Sequence, residues 1–268
     1  MLQQDYHVHC LNSPDSREPL EAVCRSAISL GLTEIMVTDH YEMFTEDFPR
    51  PVWRPEYLNQ CLESVERCRE LFQGQLYVGF GIELGQWQLQ PEEAARVTET
   101  YPFDFVIASN HKLDNVDLSL LHYADADRKA LCRRYLEGVL EIAVCGDFDC
   151  LGHLDLIKRY AAGQGFVIRA EEEEELTREI LWTLVRRGKG LELNTSGLRQ
   201  AVRETFPSRQ ILKWYREMGG RVITVGSDAH CRQDVAADFA EAERILGMAG
   251  FTEISCFRQR KELRKIIE

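Results

Sequence analysis

Seven short apolar runs punctuate the chain, and longer segments with helical periodicity separate them. The runs are Tyr6–His9, Glu34–Thr38, Leu76–Glu83, Phe103–Ala108, Cys150–His153, Gly190–Asn194 and Val222–Gly226. Runs of this length bounded by turn residues suit buried strands. Segments such as LEAVCRSAISLGL, YLNQCLESVERCRELF and RKALCRRYLEGVLEIAVC are amphipathic at the helical period. PSRQILKWYREMGG stops at paired glycines, as a helix C-terminus does. Strand–helix alternation implies a parallel sheet with crossover helices. Seven such units in 268 residues fit a closed or nearly closed α/β barrel. A doubly wound open sheet has the same periodicity. No Pro/Gly/Ser-rich linker and no repeat divides the sequence, so residues 1–268 read as a single domain.

Polar residues gather where the strands end. The runs finish in DYHVHC, VTDH, GFGIELG, ASNHKLD, LGHLD, ELNTSGLR and VGSDAH. In α/β barrels this C-terminal rim is where active sites form. His7 and His9 are two apart on a strand, so both side chains point to one side. Asp228 and His230 repeat that spacing on the last strand. Six of the seven histidines (His7, His9, His40, His111, His153 and His230) occupy strand ends, and His122 falls in a loop. One buried histidine is ordinary packing, but six on one rim point to a metal cluster. Imidazoles mixed with carboxylates suit zinc, iron or manganese better than calcium or magnesium. Asp15, in LNSPDSREP, reads either as a helix cap or as a further ligand near His40 and His230.

Composition sets the outer bounds. Hydrophobic residues are 44% and charged residues 28%, as in a folded globular protein. No apolar stretch is long enough for a membrane span, and MLQQDYHVHC lacks a signal-peptide core, which implies a cytoplasmic protein. A net charge of −12 disfavours a long nucleic-acid partner and leaves room for a small anion in a metal-lined pocket. Nine cysteines without a CxxC pair read as reduced, mostly buried thiols. The EEEEE run at 171–175 suits a helix start, where negative charge matches the macrodipole.

HVH at 7–9, TDH at 38–40, GIELG at 81–85, SNH at 109–111, GHLD at 152–155 and GSDAH at 226–230 together resemble the PHP (polymerase and histidinol phosphatase) superfamily. The resemblance runs along essentially the whole chain and implies a distorted (β/α)7 TIM-like barrel with a trinuclear centre. Within the superfamily the chain is most similar to monofunctional histidinol-phosphate phosphatases, through DYHVHCLNSPDS, HLDLIKRY and ELNTSGLR. The ligand set this implies puts His7, His9, Glu83 and Asp228 on one metal. Glu83 bridges to a second metal held by His111 and His153. Asp15, His40 and His230 hold a third. Arg159 and Arg199 are then the substrate-phosphate ligands.

Such a site suits phosphate monoester hydrolysis. Cations neutralise the phosphoryl oxygens and activate water for in-line attack. Arg159 and Arg199 offer bidentate clamps, and Asp228 or His230 can assist the leaving oxygen. The expected substrate is small and phosphorylated, with histidinol phosphate first. The alternatives are nucleotides or other small monoesters, and a metal-binding protein without catalysis. Residues 41–57 form a long aromatic-rich connection whose Phe44, Trp53 and Tyr57 could wall the pocket or simply pack. Residues 112–127 are the other segment able to cover the site.

Overall fold

The computed structural model describes residues 2–43 and 55–267, so Phe44 and Trp53 lie outside the described residues. Seven parallel strands lie side by side in chain order: β1 (Gln4–Val8), β2 (Glu34–Val37), β4 (Tyr77–Gly85), β5 (Phe105–Ser109), β8 (Cys150–Leu151), β9 (Gly190–Asn194) and β10 (Ile223–Gly226). All seven runs expected from the sequence are strands. The sheet also closes. Val8 bridges Ala229, the His9 amide donates to the Ala229 carbonyl at 2.8 Å, and the Asp228 amide donates to the His7 carbonyl at 2.8 Å. This seam makes a barrel and removes the open-sheet alternative.

Among the described residues, three strands of only two or three residues fall outside that set. β3 (His40–Glu42) runs parallel to the upper half of β4, so the connection expected from residue 41 begins as strand. β6 (Lys112–Leu113) and β7 (Val116–Asp117) form a small antiparallel pair followed by a 3-10 turn at Leu118–Leu120. Residues 112–127 therefore carry a small hairpin, a turn and a loop, and exposed His122 lies in that loop.

The outer layer is helical: α1 (Leu20–Ser29), α2 (Pro55–Leu71), α3 (Pro91–Thr100), α4 (Arg128–Cys145), α5 (Ile157–Gly163), α6 (Glu174–Arg187), α7 (Arg209–Glu217) and α8 (Phe239–Ala249). Each buries a stripe at the helical period; in α1 it is Leu20, Val23, Cys24 and Ala27. The Asp127 side chain caps α4 and that of Ser208 caps α7, each accepting from an orphan amide in the first turn. α7 runs out just before Gly219, whose φ of +92° few other residues adopt. The glutamate run divides as charge placement favours: Glu171–Glu173 sit in a 3-10 turn, Glu174 and Glu175 open α6, and Arg186 and Arg187 close it. Among the described residues, no helix is long and apolar enough to cross a membrane. All nine cysteines are free, and only Cys145 and Cys231 are not buried.

A hairpin that sequence reading did not anticipate closes the lower end of the barrel. β11 (Glu253–Arg258) and β12 (Lys261–Ile266) pair antiparallel. Cys256 and Phe257 complete a small core with Tyr6, Met36, Phe105, Ile107 and Cys150. The pairing of β1 with β2 shifts register between Asp5 and Val8. Tyr6 joins the lower core, and His7, the next residue, faces Glu83 at the upper rim.

Candidate metal centre

The upper rim assembles every residue proposed as a ligand. His7 is the next-to-last residue of β1 and His9 follows the strand; His40 opens β3, Glu83 lies within β4, and His111 and His153 come just after β5 and β8. Asp228 and His230 lie beyond β10 rather than on it, because that strand ends at Gly226. Asp228 takes a left-handed backbone, φ +55°, which aspartate tolerates better than most residues. Gly226 leaves the space the site needs. A Cβ there would come within 2.3 Å of His7 Cβ and 2.5 Å of Glu192 Oε1.

Glu83 is the centre of the arrangement. Its Oε1 is 3.0 Å from His111 Nε2 and 2.8 Å from His153 Nε2. Its Oε2 faces His7 Nε2 at 3.2 Å, His9 Nε2 at 3.5 Å and His40 Nδ1 at 2.9 Å. Asp228 Oδ1 is 3.4 Å from His9 Nε2 and 3.5 Å from His230 Nδ1. Asp15 Oδ2 lies 3.3 Å from His40 Nε2 and 3.1 Å from His230 Nε2. Asp15 thus belongs to the cluster and caps no helix; Pro19 precedes α1. His40 reaches both Glu83 and Asp15, one ring nitrogen to each.

The donor set fits divalent transition metals. His7 Nε2, His9 Nε2, His40 Nδ1 and Glu83 Oε2 are buried without a hydrogen-bond partner and converge on common space. Buried polar atoms left this way are costly, about 1–3 kcal/mol each, unless something else binds them. Three triads have ligand atoms within 4.8 Å of one another: His7–His9–Asp228, His9–His40–His230 and His40–Glu83–His111.

Electrostatics follow from this crowding. Burial opposes a charge on His7, yet Glu192, Glu83 and Asp228 outweigh it and hold its pKa well above the ordinary imidazole value. The same opposition resolves upward for His40, through Glu83 and Asp15, and for His111, through Glu42 and Glu83. Burial and the neighbouring imidazoles of His230 and His40 push His9 well below it. Burial alone would raise Glu83 and Asp228, but the surrounding imidazoles hold both well below the usual carboxylate range. Without metal, the raised imidazoles of His7, His40 and His111 face carboxylates, a charge pattern a cation can replace.

Sequence reasoning missed the residues behind the ligands. Glu192 accepts from His7 Nδ1 at 2.6 Å, and Glu42 accepts from His111 Nδ1 at 2.5 Å. Ser13 Oγ lies 3.0 Å from His9 Nδ1, and Ser109 Oγ donates to Glu83 Oε1 at 2.7 Å. Gln86 accepts from the His111 amide at 2.7 Å and donates to Glu42 at 2.7 Å. The available signal was a lone glutamate inside a short apolar strand, as in GLELN.

The PHP domain family model matches residues 5–196. The chain belongs to the PHP family. The histidinol-phosphatase of Lactococcus lactis is 28% identical to this PHP chain over 260 residues, spanning 96% of it and 95% of the relative. A Clostridium acetobutylicum relative, described as a probable histidinol-phosphatase, is 28% identical over 245 residues, 90% of this chain and 91% of its own. Among solved structures, histidinol phosphate phosphatase from Lactococcus lactis, complexed with zinc, L-histidinol and phosphate, matches with a TM-score of 0.84 at 26% identity. That match covers 98% of this chain and 100% of the other. A Listeria monocytogenes protein shares the fold at a TM-score of 0.77 and 20% identity, over 89% of this chain and 99% of that one.

In this PHP barrel the two arginines stand differently. Arg159, on α5, is 31% exposed and its Nη1 lies 3.8 Å from Asp228 Oδ2. Arg199 closes a 3-10 turn at Ser196–Arg199 and donates from Nη2 to the Ser227 carbonyl at 2.7 Å. Its Nη1 is buried without a hydrogen bond, with Asp238 3.8 Å away. Arg159 therefore joins the cluster directly, and Arg199 joins through the segment that carries Asp228. Tyr57, at the start of α2, is half-buried against the main core.

Proposed function

We infer that this chain is a histidinol-phosphatase, a phosphoric monoester hydrolase that converts histidinol phosphate and water to histidinol and phosphate. One observation carries the reading: end-to-end likeness to an enzyme complexed with zinc, L-histidinol and phosphate, in a chain whose own strand ends gather imidazole and carboxylate donor atoms around Glu83. We assign His7, His9, Glu83 and Asp228 to one cation. Glu83 is shared with a second, held by His111 and His153. Asp15, His40 and His230 hold a third. Glu83 turns Oε1 to His111 and His153 and Oε2 to His7 and His9, which supports the first two sets, and Asp15 Oδ2 lies between His40 and His230, which supports the third. Zinc, iron or manganese would suit these ligands.

Bound there, the cations would supply positive charge to the phosphoryl oxygens and make water acidic enough to attack near neutral pH. The chain's own residues do the rest. Arg159, partly exposed beside Asp228, presents a guanidinium to the phosphate, and Arg199 holds the Asp228 segment with a spare N–H. His230, the most exposed imidazole of the cluster at 28%, and Asp228 beside it are placed to meet the leaving oxygen. The test is phosphate release by purified enzyme loaded with zinc or manganese, offered histidinol phosphate, nucleotides and sugar phosphates. Histidinol phosphate should be the preferred substrate. Turnover of another monoester without histidinol phosphate overturns the substrate, and full metal occupancy with no monoesterase activity overturns the hydrolase.

A further inference from the structure

Glu192 lies on β9 and is fully buried. Its Oε1 accepts from His7 Nδ1 at 2.6 Å. Its Oε2 accepts from the His153 backbone amide at 2.8 Å and from Asn194 Nδ2 at 3.2 Å. Asn194 Oδ1 then accepts from the Ser196 amide at 3.0 Å and from its hydroxyl at 2.7 Å, and that hydroxyl lies 3.2 Å from Asp228 Oδ2. One buried polar chain thus runs from Glu192 to three of the assigned ligands, on three different strand ends. The missing Cβ of Gly226 is what lets Glu192 and His7 approach so closely. Among the described residues no lysine or arginine pairs with Glu192.

We propose that Glu192 is the positioning residue that sets two ligands at once. It fixes His7 as the Nδ1–H tautomer, so the Nε2 lone pair faces Glu83 and Asp228. It also anchors the backbone that presents His153. An ionised carboxylate only accepts, so a ring nitrogen bonded to it must carry the proton. A carboxylate is required because both oxygens receive donors. Glutamine would turn an NH2 against either His7 Nδ1–H or the His153 amide, and aspartate is one methylene too short to reach both. Carboxylates behind metal-bound imidazoles fix the tautomer and raise ligand basicity, and losing one typically weakens metal binding by about 10–100-fold. The proposal rests on the metal-hydrolase reading of this site.

Zinc affinity of wild type, Glu192→Gln and Glu192→Asp is measured by chelator competition, with bound ions counted by elemental analysis. Glu192→Gln should lose about 10–100-fold in affinity, and its activity should recover toward wild type as zinc is raised. A merely structural role would not respond to zinc. Unchanged affinity in Glu192→Gln overturns the proposal. Should that variant not fold, the wild type still decides. Zinc-loaded protein labelled with 15N-histidine, with the His7 signal assigned from its absence in His7→Gln, should show His7 protonated on Nδ1. A proton on Nε2 overturns the proposal. Neither the zinc affinity nor the histidine signal uses the substrate, so a wild type that binds zinc but leaves histidinol phosphate intact defeats the function and not the role of Glu192.

Discussion

Both rims of the barrel are built on buried carboxylates, and what meets those carboxylates differs. At the lower rim Glu34, Asp104 and Asp149 are met by the terminal hairpin. Arg258 donates to Glu34 at 2.5 and 2.9 Å, the Gln259 amide to Asp104 at 3.0 Å, and Arg260 to Asp149 at 3.2 Å. Backbone amides add to these: Phe80 to Asp104 at 3.0 Å and Val106 to Asp149 at 2.8 Å. Arg258 also lies 3.4 Å over the Tyr77 ring. At the upper rim the carboxylates meet imidazoles, and several nitrogens on those rings have no hydrogen-bond partner. A satisfied rim stabilises the fold, while the unsatisfied one is completed only by a ligand.

This contrast can be broken from either end. The largest effect belongs to Glu83→Gln, which replaces one of the two shared oxygens with an NH2 and removes the negative charge. Several kcal/mol of charge stabilisation amount to about 10^3-fold in rate, so phosphate release should fall by at least that much. Retention of more than a tenth of wild-type activity would show that Glu83 is not the hub.

Next comes Arg258→Ala at the lower rim. Leaving Glu34 short of its main cation should cost about 3 kcal/mol, or about 6–12 °C in Tm, with kcat of the folded enzyme unchanged. The acid limb should change as well. Burial tends to raise the Glu34 pKa, but Arg258 and Tyr6 hold it below its ordinary 4.5. A depressed carboxylate contributes stability in full above 4.5 and loses it as pH falls through the lower folded value. Acid denaturation curves of wild type and Arg258→Ala should therefore converge below that range; a constant gap between them contradicts the assignment.

Slightly smaller is the effect of chelation on the upper rim. Free zinc at a hundred times Kd adds about 2.7 kcal/mol, so removing it should lower Tm by about 5–10 °C. A chelator that leaves Tm unmoved would mean that this rim is complete without metal.

The smallest signal is in protons. His7, His40 and His111 have raised pKa values in the metal-free cluster, so they hold protons at pH 7 that zinc must displace. Calorimetry in two buffers of different ionisation enthalpy should show net proton release, and zinc affinity should fall as pH falls. Proton-neutral binding would overturn that charge pattern.

Much of the upper rim could be read before any coordinates, because chelating residue types recur at strand ends and the spacing of two puts His7 and His9 on one side. The barrel was readable for a related reason: its strands are continuous apolar runs. The outer partners were not. A glutamate at 42 or 192 reads equally as a surface charge, and its meaning depends on which imidazole nitrogen it faces across the barrel. Asp228 and His230 appeared to continue a strand, yet the left-handed turn at Asp228 lies beyond it. The lower rim was hidden for the same reason as Glu192. Arg258 and Arg260 gain their role only from acidic residues far away in sequence, and KELRKI carries too many charges to announce a strand.

The seam between β1 and the segment after β10 has a consequence for how the molecule comes into being. Its two amide-to-carbonyl bonds join the stretch bearing His7 and His9 to the stretch bearing Asp228, some 220 positions later. Contacts this distant are made late when a chain folds. During synthesis the first two imidazoles leave the ribosome long before their carboxylate partner exists. A nascent chain therefore offers metal ions only fragments of the binding site, and tight capture waits until the cylinder shuts. Uptake of ions would then follow closing of the cylinder, which would tie correct loading to having folded at all.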